Sequence, residues 1–196
     1  MQLLLPFGGV IGADTMKTKN QNWVANIFII IATLARLLPH PANVTPVGAV
    51  SLVGGSKLNG IYKWAVPFVV LALSDYLLGI FKGVEPWSVV TPFIYGAFAL
   101  NIFLGCFIKG EHRYLKLSGL SVIASLQFFA ISNFGVWLQG MLYPKTVAGL
   151  AQCYTMALPF LTNTLLGDMV WSLALFTVIE RAASWGQKRS LQSAHS

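Results

Sequence analysis

The sequence predicts an all-α membrane protein of six transmembrane helices with both termini on the cytoplasmic side. Three observations carry that expectation. Of the 196 residues, 56% are hydrophobic and only 10% are charged, whereas a soluble domain carries about 25% charged residues. The apolar residues gather into six runs, most of them approaching the length of about 20 residues that a bilayer span needs. The lysines and arginines fall on alternate connections between those runs, as orientation in a bilayer requires.

The segment before Met16, MQLLLPFGGVIGADT, has no basic n-region, and its apolar run is short and broken by proline. Both features argue against a cleaved signal peptide. With KTKNQNW following it, Met16 reads as the more natural start; the first fifteen residues read as a mobile extension or a start-site artefact, within an N-terminal extension over residues 1–21. The first span runs from about Asn22 to Leu38. The second, VTPVGAVSLVGGSKL, is short and glycine-rich, as a tilted, broken or partly re-entrant span would be. The third, YKWAVPFVVLALSDYLLGIF, ends at Phe81, and the fourth, VVTPFIYGAFALNIFLGCFI, ends at Ile108. The fifth begins near Leu117 and fades around Trp137. After a long polar and aromatic connection, the sixth lies between about Leu158 and Ala183. One transmembrane domain therefore covers residues 22–186, with a cytoplasmic tail over 187–196.

With six spans and a cytoplasmic N-terminus, the inner side holds Lys17, Lys19, Lys57, Lys63, Lys109, Arg113, Lys116, Arg181, Lys188 and Arg189. The outer side keeps only Arg36, Lys82 and Lys145. Five or seven spans would spoil that segregation. Topology also accounts for the net charge of +7. No basic run interleaved with aromatics exists, so nucleic acid is not an expected partner; the bilayer and a small molecule are. Cys106 and Cys153 fall toward opposite sides, so no disulfide is expected between them. No His/Cys spacing suggests a structural metal or a cofactor.

The ionisable and polar residues converge on the outer half of the bundle. Asp75 and Asp168 are the two acids well inside spans, where a charge costs at least about 2.5 kcal/mol and normally faces a partner or a cavity. Arg36 is the nearest cation to them; the plainer alternative is a buried Arg–Asp pair that only fixes packing, or an arginine that snorkels to the interface. Thr164, Asp168 and Trp171 follow i, i+4, i+7 on one face of the last span, with Asn163 and Gly167 on the adjacent stripe. A polar group, an acid and an aromatic in that order suit either a pocket wall or a helix-packing face. Asn133, Trp137, Tyr143 and Lys145 bracket a glycine-containing outer loop that could close over a ligand, or form an interfacial aromatic belt. His40 and Asn43 belong to RLLPHPAN, where flanking prolines exclude an ordinary helix. His40 then reads as a ligand contact, an axial ligand to a metal-containing cofactor, or an exposed loop imidazole. Ser118, Ser121, Ser125 and Ser132 share a face of the fifth span, and Gly48, Ser51 and Gly55 a face of the second, permitting close helix approach.

No catalytic motif is present: there is no GxSxG, HExxH or Walker A sequence, and the chain is expected not to be an enzyme. LLGD lacks the second glycine of the GxGD pattern of intramembrane aspartyl proteases, and Asp75 stands in SDY. A secondary transporter that couples uptake to protons through Asp75 and Asp168 is an alternative, although no inverted repeat is visible.

The motifs RLLPHPANVTPVGA, SDYLLG, SNFGVW, YPKTVAGL and LPFLTNTLLGD, spread from about Trp23 to Phe176, resemble a family of small bacterial membrane proteins assigned to transport but otherwise uncharacterised. More distantly, that family is similar to the S components of energy-coupling-factor vitamin transporters. The resemblance implies an S-component-like six-helix bundle in the bacterial inner membrane. It further implies capture of a vitamin or its precursor from outside, and a membrane energising module with ATPases as partner. The small-residue AxxxA docking motif common in the first helix of S components is missing; only Ala25, Ala32 and Ala35 stand there. On this reading Arg36, His40, Asn43, Asp75, Asn133, Trp137, Tyr143, Lys145, Asn163, Thr164, Asp168 and Trp171 are the candidate substrate-binding residues.

Overall fold

The computed structural model describes residues 18–193 apart from positions 40, 42, 84 and 86. The extension before residue 18 and the candidate site residue His40 therefore lie outside the described residues. Six helices are present and no strand occurs among the described residues: α1 (Thr18–Leu37), α2 (Val47–Lys57), α3 (Tyr62–Lys82), α4 (Thr91–Gly105), α5 (Arg113–Gln139) and α6 (Val147–Ser193). Three stretches are long and apolar enough to cross a membrane, Tyr62–Lys82, Arg113–Gln139 and Val147–Ser184. Val24–Leu37 and Thr91–Gly105 are apolar but shorter.

Local sequence sets several of the ends. α3 and α5 stop at Gly83 and Gly140, both left-handed with φ of 63° and 72°, a conformation glycine adopts without steric cost. Proline opens α4, where its missing N–H is no loss. The largest departure from the sequence-based expectation is at the last connection. Instead of a long loop up to Leu158, α5 continues through Gln139 and α6 begins at Val147. Residues 147–157 lack the sustained apolar run of a span, yet their alanines, leucine, glutamine and methionine are good helix formers. Pro159, which suggests a helix start, lies inside α6. α6 also continues to Ser193, past the predicted end of the last span and into the segment expected to be a tail.

α2 organises the bundle. All of its residues are buried, and it contacts each of the other five helices. Those five follow one another as an arc, α1 on α3, α3 on α4, α4 on α5 and α5 on α6. Glycine makes the central crossing possible. A Cβ on Gly55 would lie 2.1 Å from the Ile102 carbonyl oxygen, and one on Gly105 2.0 Å from that of Leu52, so α2 and α4 meet backbone to backbone. The stripe of small residues on the second segment thus packs internally at Gly55. Val50, Leu52 and Val53 of α2, Val70 and Leu71 of α3, Leu117 of α5 and Phe176 of α6 fill the core around it.

At one end of the bundle, Lys57 closes α2 with its ammonium buried. Lys57 donates to Glu180 of α6, stands 4.3 Å from the centre of the Phe176 ring, and shares Glu180 with Arg113 of α5, whose Nη2 is 2.9 Å from Oε2. In the sequence, Lys57 and Arg113 count only as loop charges. The periphery is apolar. Ile30 and Leu34 of α1, Ile80 of α3, Phe103 of α4, Ile123 of α5 and Leu166 and Val170 of α6 are all exposed. Apolar surface this extensive belongs against lipid rather than water, as expected of a membrane protein.

Two measurements test this packing. Gly55→Ala should lower the thermal midpoint of the detergent-solubilised protein, by an overpacking cost of about 1–3 kcal/mol; an unchanged midpoint would mean α2 and α4 do not meet at Gly55. Glu180→Gln removes the carboxylate from a buried ammonium and should destabilise by roughly 3 kcal/mol, whereas Glu180→Asp should recover part of that loss.

Candidate functional site

α2 rises only about 16 Å at about 1.5 Å per residue, roughly half the thickness of a hydrocarbon core. It therefore fills the bundle at the Lys57 end and leaves space beyond its N-terminus, at the Lys82 end. That space is a cavity of about 340 Å³. Its floor is Val47 of α2, and Asn43 and Thr45 of the segment leading into α2 border it. Leu71 and Leu78 of α3, Ile94 and Phe98 of α4 and Phe128 of α5 give it apolar walls. Polar groups enter from two sides, Arg36 of α1 with Lys82 of α3, and Thr164 with Asp168 of α6.

Asp168 is 6% exposed and accepts a 2.8 Å hydrogen bond from the Ser125 hydroxyl through Oδ2. Oδ1 lies against the first turn of α2, where a Cβ on Gly48 would come within 2.1 Å of it. Only glycine at position 48 admits the carboxylate there. One turn along, Gly167 plays a similar part, letting Val44 of the lead-in segment approach to 3.2 Å of where a Cβ would stand. Thr164 satisfies its hydroxyl on the Phe160 carbonyl at 2.9 Å and keeps acceptor capacity toward the cavity.

Arg36 lies in the last turn of α1, with its guanidinium 2.8 Å from Asp75 and a further N–H donated to Ser74. Ser74 donates its own hydroxyl proton back to the Val70 carbonyl. Asp75 faces a second, smaller cavity of about 170 Å³, which it lines with Tyr95, Glu85 and Thr91. Arg36, Leu78 and Ile94 border both cavities, so the guanidinium stands in the partition between them. Asn43 takes a left-handed conformation, φ 63°, which asparagine tolerates better than most residues.

Of the residues singled out in the sequence, Arg36, Asn43, Thr164 and Asp168 meet around the larger cavity, and Asp75 joins them through Arg36. The others are placed elsewhere. Asn133 is within α5 and donates to the Phe129 carbonyl at 2.8 Å. Trp137 is in the last turn of α5, and its indole N–H binds the Pro144 carbonyl at 3.1 Å. Tyr143 and Lys145 occupy the short turn between α5 and α6, where the Lys145 side chain packs close to Gly140. Asn163 and Trp171 are half-buried on α6 outside the cavity lining. The expectation of a long aromatic loop over the site thus gives way to a tight turn pinned by Trp137. Cys106 and Cys153 form no disulfide, and the Cys153 thiol is 3.4 Å from the Asn133 carbonyl. Among the described residues, no group of three His, Cys, Asp or Glu side chains could hold a metal ion.

Two site residues, Lys82 and Ser125, are not among those the sequence singles out. Lys82 carries a signal: Leu71, Leu78 and Lys82 recur at helical spacing, placing the lysine over the same wall. Ser125 is visible in the sequence only as one of a stripe of small residues; its bond to Asp168 depends on how α5 meets α6.

No characterised protein and no solved structure shows a significant match to the chain. The model of a family of unknown function, DUF6580, matches residues 16–191 and so nearly all of the bundle just described; the chain belongs to that family.

Proposed function

We propose that the protein is a membrane substrate-binding or uptake protein for a small nutrient, a vitamin or its precursor, captured between the helices from the outer side. The observation that carries this reading is the cavity beyond the short α2. It has the size of a small-ligand site, at the low end of the usual range of about 300–1,000 Å³. Its apolar walls and few convergent polar groups are what such sites consist of.

The orientation comes from charge. Lys57, Lys63, Lys109, Arg113, Lys116 and Arg181 gather at or near the Lys57 end of the helices, and Lys82 and Lys145 at the other. By the rule that cytoplasmic connections are rich in Lys and Arg, the cavity faces outward. Both termini then lie inside, in the inner membrane of a bacterium. In this arrangement α2 is the second of six segments but crosses only in part. The lead-in segment supplies non-helical backbone at membrane depth, which is tolerated where it lines a cavity. A partner module with ATPases is the remaining element of the S-component likeness. Ala25 and Ala32 are both buried in the core, so α1 offers that partner no stripe of small residues. A protein that works alone fits the surface better.

One observation favours a second reading, proton-coupled transport. Thr164, Asp168, Ser172, Phe176 and Glu180 form a single i, i+4 stripe of α6 that runs from the cavity to the Lys57 cluster. The hydroxyls of Ser172 and of Ser121 on α5 are buried without a protein partner. Asp168 would be the proton-carrying group. Asp75 is committed to Arg36 and is the weaker candidate for that role. Proton-coupled uptake would collapse when the pH gradient is dissipated, and Asp168→Asn would abolish it.

Native mass spectrometry of the protein purified from cells grown in rich medium tests the binding reading. A discrete adduct should accompany the wild-type chain and be weakened about tenfold or more in Asp168→Asn, from the loss of a charge-assisted contact worth about 1.5–3 kcal/mol. A clean apo mass together with failure of every candidate nutrient to raise the melting temperature would reject it. Arg36→Ala should both weaken binding and destabilise the fold by roughly 3 kcal/mol, since it strands Asp75 at depth. Full retention of both properties would remove Arg36 from the site.

A further inference from the structure

Charge is unevenly distributed around the cavity, and that unevenness restricts what can occupy it. On the α1–α3 side stand two cations. Lys82 has no ion pair among the described residues, and Arg36 donates to Asp75 and Ser74 with two of its five guanidinium N–H groups. On the α6 side stands Asp168, buried, with the Ser125 hydroxyl as its hydrogen-bond donor and no Lys, Arg or His within ion-pair distance among the described residues. α1 and α3 supply the cations and α6 the acid, so the two signs enter the same cavity from different helices. The Asp75 carboxylate pairs with Arg36, and Glu85 stands beside them at the smaller cavity, so Lys82 is the cation without an ion pair among the described residues that borders the same cavity as Asp168. Burying an uncompensated carboxylate is costly unless something supplies the opposite charge.

Size gives the second restriction. At about 30 Å³ per water in the liquid, the cavity holds the volume of about eleven waters. A molecule built on one ring fits within that volume. The wall between the charged sides is apolar and aromatic, with the Phe98 and Phe128 rings 5.0 Å apart between centroids.

We propose that the ligand is a small amphipathic zwitterion whose carboxylate meets Lys82 and Arg36, whose ammonium meets Asp168, and whose apolar body lies against Phe98 and Phe128. The proposal rests on the cavity being a ligand site. It adds that recognition needs both charges, held at opposite ends of a compact apolar body. A purely cationic ligand would leave Lys82 unmatched, a purely anionic one would leave Asp168 buried without a counter-charge, and a neutral one would satisfy neither.

The test is a calorimetric titration of the whole chain in lipid nanodiscs with three probes that share one body: para-(aminomethyl)benzoate, para-methylbenzylamine and para-toluate. The zwitterion should bind at least about tenfold more tightly than either singly charged analogue, each lost charge contact being worth a factor of that order. In Lys82→Gln its affinity should fall to that of the amine, and in Asp168→Asn to that of the toluate. Equal affinity for the zwitterion and either analogue would overturn the proposal. The molecule released from the native complex decides the question independently. If it lacks an amine or an acid, the zwitterion is wrong and the binding reading stands. If nothing is carried and no probe binds, both fall together.

Discussion

The structure depends on one geometric constraint: a helix too short to cross the bundle is buried on every side within it. α2 reaches this position because glycine removes the side chains that would keep its neighbours away, Gly55 against the Ile102 carbonyl of α4 and Gly48 against the Asp168 carboxylate of α6. The rest follows from its length. The longer helices continue past its N-terminus and enclose a space there, bordered by non-helical backbone at Asn43 and Thr45. In a bilayer such backbone is admissible only against protein or a wet cavity. The cavity and the unwound segment are therefore two consequences of the same short helix.

Charge placement follows the same division. At the Lys57 end the one acid is shared by two bases: Glu180 takes both Lys57 and Arg113, and Phe176 covers the ammonium. Such a cluster adds little net stability over an apolar equivalent but is costly to break. It seals that end. At the cavity the charges are spread out. Arg36 is held by Asp75 and Ser74, while Lys82 and Asp168 face the opening without ion-pair partners among the described residues. Groups that serve only packing have no reason to be left in that state, since each could have been paired or replaced at lower cost.

Much of this is legible in the sequence, for identifiable reasons. Intramembrane acids are rare enough to stand out, which marks Asp75 and Asp168, and RLLPHPAN announces its own break in the helix through its prolines. The glycine spacing of the second segment points to its close packing. What the sequence hides turns on tertiary contact or on ambiguous helix signals. Lys57 looks like a loop charge in VGGSKLNG, and only the approach of α6 shows that its ammonium is buried beneath Glu180. Residues 147–157 look like a connection because they lack the sustained apolar run of a span, and Pro159 looks like a start because proline is favoured there. The aromatic loop expected over the site is absent for the same reason. Once α5 and α6 are extended, only a short turn remains, and Trp137 is tied to Pro144 within it.

α6 joins the two ends. Thr164 and Asp168 border the cavity, Phe176 lies against Lys57, and Glu180 closes the cluster, all on one helix face spanning about 24 Å. α2 makes the same connection in the opposite sense, from Gly48 beside Asp168 to Lys57 beside Glu180. The two helices are thus latched together at both ends, by a carboxylate fitted against a glycine at one and an ion pair at the other. Under the uptake reading, release toward the Lys57 end requires the pair between Lys57 and Glu180 to part and Phe176 to move aside. A change in the charge facing Asp168 acts on the same two helices that hold that closure. A ligand that supplies the missing positive charge there is in direct mechanical contact with the latch it would have to open.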